Sequence, residues 1–169
     1  MIIYGLLYIV LIGFSLTSVY LHVSQRHFVF VMISMVLVFF VGMRFQVGPD
    51  WFSYQTIFSQ IKDSGLATNY LLHDPAYHLL NWLVGRLGLP FYIVNIFSAA
   101  VFVYGLYVFL VNERAPFLGL CVAYPYLVLV VGMSFTPQSA ALGLVMLAFT
   151  SLARNQGLKT LALIVLAAM

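Results

Sequence analysis

Long apolar runs that carry almost no charge are the feature that most constrains this fold. Residues 2–21 contain no Lys, Arg, Asp or Glu, and about 20 apolar residues are enough to cross a bilayer as a helix. Over the whole chain 64% of the residues are hydrophobic and 7% are charged. Soluble domains carry roughly 25% charged residues, so the composition predicts an integral membrane protein.

The apolar runs predict an all-α fold, because in hydrocarbon every backbone polar group must be bonded internally. We expect a polytopic helical bundle that forms one transmembrane domain over residues 1–169. The expected spans are residues 2–21, 28–43, 89–111, 116–133 and 139–153, with the start of another at 160–169. A polar turn is expected at 22–27. Because the last run is too short to span, we expect the chain to be an N-terminal fragment of a longer protein.

One long polar segment, residues 44–75, is expected to be a loop on the outer face that carries amphipathic surface helices. Four large residues recur in it at helical spacing: Trp51, Tyr54, Phe58 and Ile61. This pattern predicts a helix whose apolar face lies against the membrane surface. Asp50 stands at the position of an N-cap, and Ser64-Gly65 is predicted to end the helix.

Residues 76–88 are short for a full span. Their leucines fall on one helical face, while His78, Asn81 and Gly85 fall on the other. Three interpretations stay open for this segment: interfacial, re-entrant, or a short span whose polar side faces a cavity.

The few basic residues leave two orientations open. No Lys or Arg precedes the first span and Arg26 follows it, which favours an outer N-terminus because the first helix usually sets orientation. If residues 76–88 cross the membrane, the count of basic residues favours an inner N-terminus. We prefer the first orientation.

Charge, glycine and aromatic residues gather where the second apolar run ends. Arg44 is interpreted either as an anchor that reaches the headgroups or as a group that binds a diphosphate or a sugar. A guanidinium suits a diphosphate because it donates two parallel hydrogen bonds to phosphate oxygens. Asp50 is interpreted either as the cap of a helix or as a carboxylate that accepts the proton of a sugar hydroxyl.

The second polar cluster, at residues 73–78, contains two histidines and Asp74. A metal site needs more ligands that converge, so we predict no metal here and favour a helix start. The sequence holds no phosphate-binding loop, dinucleotide fingerprint or nucleophile elbow, and we expect no cofactor. A net charge of +3 spread along the chain gives no reason to expect a nucleic-acid partner.

The polar residues together resemble the motifs of a known family. The pattern Gly42-x-Arg44-x-x-x-Gly48-x-Asp50-x-x-x-Tyr54 resembles the hallmark of the EpsG family of Wzy-type polysaccharide polymerases. Asp74-Pro75-Ala76-Tyr77, with Asn81 downstream, stands where that family has a Glu-Pro-x-Tyr element. Pro137-Gln138 opens a helix of small residues where the family has an Arg-Gln pair, so one expected cation is replaced by proline. The resemblance covers about residues 1–160, and family members are longer than this chain.

The resemblance implies an enzyme that joins polyprenyl-diphosphate-linked oligosaccharide repeat units into an exopolysaccharide, capsule or O-antigen. Glycosyl transfer would take place at the outer face of the bacterial inner membrane, with membrane lipid and other polysaccharide assembly proteins as partners. Arg44 and Asp50 are the expected catalytic residues. The expected substrate contacts are Tyr54, Asp74, Tyr77, His78, Asn81 and Gln138. The alternatives are a related O-antigen ligase, a transporter or flippase for lipid-linked oligosaccharides, and a non-catalytic component of an export complex.

Overall fold

The computed structural model describes residues 2–64 and 74–169 of the chain. Within these ranges the chain forms helices and no strand. The helices are α1 Ile2–Thr17, α2 Val23–Gly42, α3 Trp51–Ser64, α4 Pro75–Arg86, α5 Tyr92–Val111, α6 Pro116–Ala123, α7 Thr136–Ala153 and α8 Gly157–Ala167. A 3-10 turn at Ser18–Tyr20 follows α1, and a π-helical segment at Tyr124–Gly132 continues α6.

Three helices of the described ranges, α2, α5 and α7, are long and apolar enough to cross a membrane. α1, α8 and the combined helix Pro116–Gly132 are apolar but shorter. α1 ends at Thr17, before the end of the predicted span. Residues 65–73 of the expected outer loop lie outside the described residues. They include Gly65 of the predicted helix stop.

The predicted polar turn between the first two apolar runs is wrong, because α2 already begins at Val23. The backbone N–H of His22 donates to Oε1 of Gln25 at 3.0 Å. Arg26 Nε donates to the carbonyl of Ser18 at 2.8 Å. These bonds satisfy polar groups at the start of the helix, so polar residues occupy its first turn rather than a separate loop.

α5 is the central helix, and it packs against α2 and α7. Its contact with α7 is backbone to backbone, because a Cβ on Gly105 would lie 2.1 Å from the carbonyl oxygen of Gly143. Small residues at such crossings let membrane helices approach closely. α7 begins at Thr136 with Pro137 in its first turn, so the helix opens before the predicted residue 139.

α3 packs against α4 and buries the face that the sequence pattern assigned to the membrane surface. The rings of Trp51 and Phe58 lie 5.8 Å and 5.6 Å from the ring of Phe91, and Ile61 is 1% exposed. The helix itself is as predicted. The expected membrane contact is corrected, because this apolar face is covered by protein.

α4 has 12 residues, or about 18 Å of helix at 1.5 Å per residue, and the hydrocarbon core is about 30 Å thick. It is therefore too short to span. Its leucines at 79, 83 and 87 are exposed, whereas Tyr77, His78 and Asn81 are buried. The inward side of α4 thus carries these polar residues together with the buried Val84, and the three leucines face outward.

Candidate functional site

Arg44 is the buried cation of the site. It lies two residues beyond the end of α2 and is 6% exposed. Its Nη1 donates to the carbonyl oxygen of Gly132, and its Nη2 donates to the hydroxyl of Thr136. Its Nε is buried without a hydrogen-bond partner. Two nitrogens of the guanidinium therefore donate to protein oxygens, while the N–H of the third, Nε, has no acceptor.

No carboxylate of the described residues acts electrostatically on this guanidinium. Burial lowers the pKa of Arg44 from its ordinary value, and Tyr77 and Tyr54 oppose this shift only when they are ionised. A buried charge without a counter-ion raises the free energy of the folded state. An anionic ligand would therefore be bound favourably here.

Two glycines of the first motif hold the Arg44 segment against other helices. A Cβ on Gly42 would lie 2.7 Å from Cα of Ile96 in α5. A Cβ on Gly48 would lie 2.8 Å from Cα of Ser134, just before α7, and Gly48 also has a φ of +92°. The spacing of the motif thus follows from two close backbone contacts, one on each side of Arg44.

The carbonyl that accepts from Arg44 belongs to the last residue of the π-helical segment. Pro125 is the second residue of this segment and has no N–H to continue the α-helical bonding pattern. Single stretches of π-helix are rare and are often found at functional sites. A Cβ on Gly132 would lie 3.3 Å from the Phe102 ring, so the carbonyl belongs to a tightly packed residue.

Two tyrosines lie beside Arg44. The rings of Tyr54 on α3 and Tyr77 on α4 meet edge to face, with their centroids 5.6 Å apart. Burial, together with the nearby charge of Asp50, raises the pKa of Tyr54 to about 12. Burial also raises the pKa of Tyr77, while the neighbouring side chain of Asn81 lowers it, and the hydroxyl makes no hydrogen bond of normal geometry. Both hydroxyls are therefore neutral at physiological pH and able to donate.

Two carboxylates approach the tyrosine pair. Asp50 directly precedes α3, and its backbone carbonyl accepts from the N–H of Tyr54 at 3.0 Å, as the N-cap position requires. Asp74 directly precedes α4 in the left-handed region, with φ 47°, and is exposed. The charges of both aspartates act on Tyr54. Across residues 2–64 and 74–169, no group of three or more His, Cys, Asp or Glu side chains could hold a metal ion.

The inward face of α4 adds an amide and an imidazole. Nδ2 of Asn81 donates to the carbonyl of Tyr77 at 2.7 Å, and its Oδ1 is buried without a partner. Nδ1 of His78 lies 3.0 Å from the carbonyl oxygen of Asp74. The predicted contact residues of α4 therefore sit on the side of the helix that faces the protein interior.

A cavity of about 440 Å³ adjoins this cluster. Its polar lining includes Asp74, Tyr77, Ser98 and Gln138, and its other walls are mostly apolar side chains of α5, α7 and α8. Gln138 is exposed and lines this cavity. The predicted residues thus lie near one end of the helical bundle, where α2 ends and where α3, α4, α5 and α7 begin.

Three further polar groups of the site were missed by the sequence interpretation. Thr136 binds Arg44. Nε1 of Trp51 is buried without a partner, and so are both amide atoms of Asn95. Asn95 carried a usable signal, since an amide inside an apolar run is costly in a membrane and is often functional. Thr136 carried none, because its hydroxyl is 92 residues away from Arg44 in the chain.

Comparison with known proteins assigns the chain to a family. A sequence profile of the EpsG family matches residues 27–169, a range that contains every site residue described above. No curated protein and no solved structure matches the chain. The match confirms the family that the motif around Arg44 resembles. The chain is a polysaccharide-related membrane protein that belongs to the EpsG family.

Proposed function

We propose that this chain carries the donor site of a polysaccharide polymerase that acts on polyprenyl-diphosphate-linked oligosaccharides. The observation that supports this most is the state of Arg44, a buried guanidinium with a free Nε and no carboxylate among the described groups whose charge acts on it. Guanidinium groups bind phosphate oxygens with particular strength. A diphosphate would supply the missing negative charge.

The reaction is a glycosyl transfer. A hydroxyl oxygen of the acceptor sugar bonds to C1 of the first sugar of the donor, and the bond from C1 to the diphosphate oxygen breaks. The polyprenyl diphosphate leaves with the electron pair, and Arg44 stabilises the charge that develops on it. The hydroxyl proton passes to Asp50 as general base.

The neighbouring groups fit the rest of such a substrate. Tyr54 and Tyr77 offer aromatic faces and neutral hydroxyls to sugars, and Asp74, His78, Asn81 and Gln138 offer further polar contacts. The apolar walls of the cavity suit the polyprenyl chain. The enzyme would act as a multi-pass protein of the bacterial inner membrane, at its outer face, with membrane lipid and other polysaccharide assembly proteins as partners.

The test is the polymer-length ladder of source cells whose own copy of the gene is deleted and replaced by a variant. Arg44→Ala should reduce the ladder to single repeats, since the loss of one stabilising group in such a site costs about 10²–10³ in rate. Arg44→Lys should restore little, because an ammonium lacks the planar pair of donors. Arg114→Ala, which changes an exposed arginine in the turn between α5 and α6, is the control.

Each outcome separates the proposal from its alternatives. A full ladder with Arg44→Ala, at equal amounts of protein in the membrane, would contradict the donor site. If deletion of the gene leaves lipid-linked single repeats on the inner side of the membrane, the transporter takes precedence. If deletion leaves the ladder unchanged, the chain is better explained as a non-catalytic component of an export complex.

A further inference from the structure

Asn95 is a buried amide that the described structure leaves without a hydrogen bond. It lies in the first turn of α5 and is 2% exposed, and neither Nδ2 nor Oδ1 has a partner. Nearly all buried polar groups in proteins are hydrogen-bonded. An amide enclosed by protein with both atoms unpaired therefore points to a ligand.

The position of Asn95 follows from its neighbours on α5. Phe91, four residues earlier, contacts Trp51 of α3, and Ser98, three residues later, lines the cavity together with Tyr77. Residues three and four apart share a helical face. Asn95 therefore lies on the side of α5 that faces α3, one helical turn from Ser98 in the cavity wall.

The start of α5 is also level with Arg44. The residue after Asn95, Ile96, makes the close contact with Gly42, two residues before Arg44. Ser98 in the second turn of α5 and Pro137 in the first turn of α7 line one cavity, so the N-terminal parts of the two helices lie side by side. Thr136, which holds Arg44, belongs to that turn of α7.

Besides Nε of Arg44, three other groups in this region have no hydrogen bond of normal geometry: Nε1 of Trp51, the hydroxyl of Tyr77 and Oδ1 of Asn81, the last two on neighbouring side chains. Like the amide of Asn95, they are neutral. A hydroxyl or an amide pairs well with sugar hydroxyls, which both donate and accept. They suit an anion poorly because oxygens are among them, and a hard cation such as Ca²⁺ takes six to eight oxygen ligands.

We propose that Asn95, with Tyr77 and Asn81, forms a neutral subsite that binds the sugar next to the diphosphate of the donor. This inference rests on the proposed function and extends it to a residue outside the family motifs. Arg44 binds the charged part of the substrate, and Asn95 binds the uncharged part. The Arg44 site and the Asn95 subsite can be tested separately because each recognises a different part of the donor.

The test is calorimetric titration of the purified full chain in detergent with two kinds of lipid. One is a bare polyprenyl diphosphate, and the other is the same lipid carrying one hexose or one N-acetylhexosamine. Asn95→Leu should leave the affinity for the bare lipid unchanged and weaken binding of the sugar-bearing lipid about tenfold or more, as sites built for a hydroxyl do when a partner is lost. Arg44→Ala should weaken binding of both lipids.

Two controls keep the result interpretable. Asn112→Leu changes an exposed amide just beyond the other end of α5 and should bind both lipids as the wild type does. Tyr77→Phe removes only a hydroxyl and should repeat the sugar-specific loss, even if Asn95→Leu folds poorly. The thermal unfolding midpoint of Asn95→Leu should not fall, because replacing an unpaired buried amide by an apolar group of similar size is close to neutral.

Three results would overturn the subsite. The first is an equal loss of both lipids in Asn95→Leu and Tyr77→Phe, which would assign these residues a structural role. The second is a wild type that binds the sugar-bearing lipid no better than the bare one. The diphosphate site at Arg44 would then have no sugar subsite beside it. The third is a wild type that binds neither lipid, in which case the proposed function fails as well.

Discussion

Arg44 donates a hydrogen bond to the hydroxyl of Thr136, although 92 residues separate the two in the chain. This bond joins the end of α2 to the start of α7. The residue after Thr136 is Pro137, which stands where the family pattern leads us to expect arginine. The start of α7 therefore contributes an acceptor that orients the existing cation, rather than a second cation at that position.

Thr136→Val tests this bond directly. Valine has nearly the same shape but leaves Nη2 of Arg44 without its acceptor, and a hydrogen bond to a charged group contributes about 1.5–3 kcal/mol. We expect the polymer ladder to weaken about tenfold or more. Thr150→Val is the matched control on the same helix, since the Thr150 hydroxyl donates to the carbonyl of Met146 one turn earlier. Equal effects of the two substitutions would show that the Thr136 hydroxyl does not position Arg44.

Gly48→Ala should destabilise the protein through two separate effects. A φ of +92° strains any side chain, and the new Cβ would meet the backbone of Ser134 at 2.8 Å. Gly88→Ala carries only the first effect, because Gly88 has a φ of +67° and nothing within 4 Å of its Cβ position. Left-handed conformation costs about 1–2 kcal/mol for an L-residue, so Gly88→Ala should lower the thermal midpoint modestly. Gly48→Ala should lower it further and also reduce the ladder.

A midpoint for Gly48→Ala equal to that of Gly88→Ala would mean that the segment after Arg44 yields to the added methyl group. The close contact with Ser134 would then contribute nothing to the position of Arg44.

Gly143→Ala should disrupt the packing of α5 on α7. Its Cβ would lie 2.5 Å from the carbonyl oxygen of Val101 and 2.6 Å from Cα of Phe102, so the two helices must separate. Overpacking of a core typically costs 1–3 kcal/mol, so about that loss is expected in the free energy of unfolding. Gly13→Ala in α1 is the control, since nothing lies within 4 Å of that position. It should stabilise slightly, because alanine favours helix by up to about 1 kcal/mol over glycine.

Stability should fall at alkaline pH through Tyr54. Its pKa rises from 10.0 to about 12, first because of burial and then because of the charge of Asp50. Between these values the folded state keeps a proton that the unfolded state loses, so the free energy of unfolding decreases as the pH rises. The contribution is complete below pH 10 and lost above the folded pKa.

The measurement is the thermal midpoint in detergent at pH 10 and at pH 12. Tyr54→Phe should show a smaller decrease than the wild type, while Tyr20→Phe, at an exposed tyrosine, should match the wild type. A decrease in Tyr54→Phe as large as that of the wild type would assign the alkaline loss to other groups.

The sequence predicted α3 and α4 close to their observed bounds, but it could not predict which face of each is covered. Helical spacing shows that Tyr77 and Asn81 share a side. It does not show what lies opposite that side. The three interpretations left open for residues 76–88 did not decide which side of the helix would be covered by protein. In a membrane protein, exposed leucines meet lipid, and polar groups gain more from the interior.

What the sequence by itself determined is the class of protein and the place of its first motif. Seven per cent charge, long apolar runs and the pattern around Arg44 sufficed for these, because each depends on local composition and spacing. The tertiary structure alone decided that Thr136 and Gly132 hold Arg44, that Gly48 packs on Ser134, and that Asn95 lies unpaired at the same level. These relations join residues far apart in the chain, and hydrogen bonding and burial depend on such neighbours rather than on local sequence.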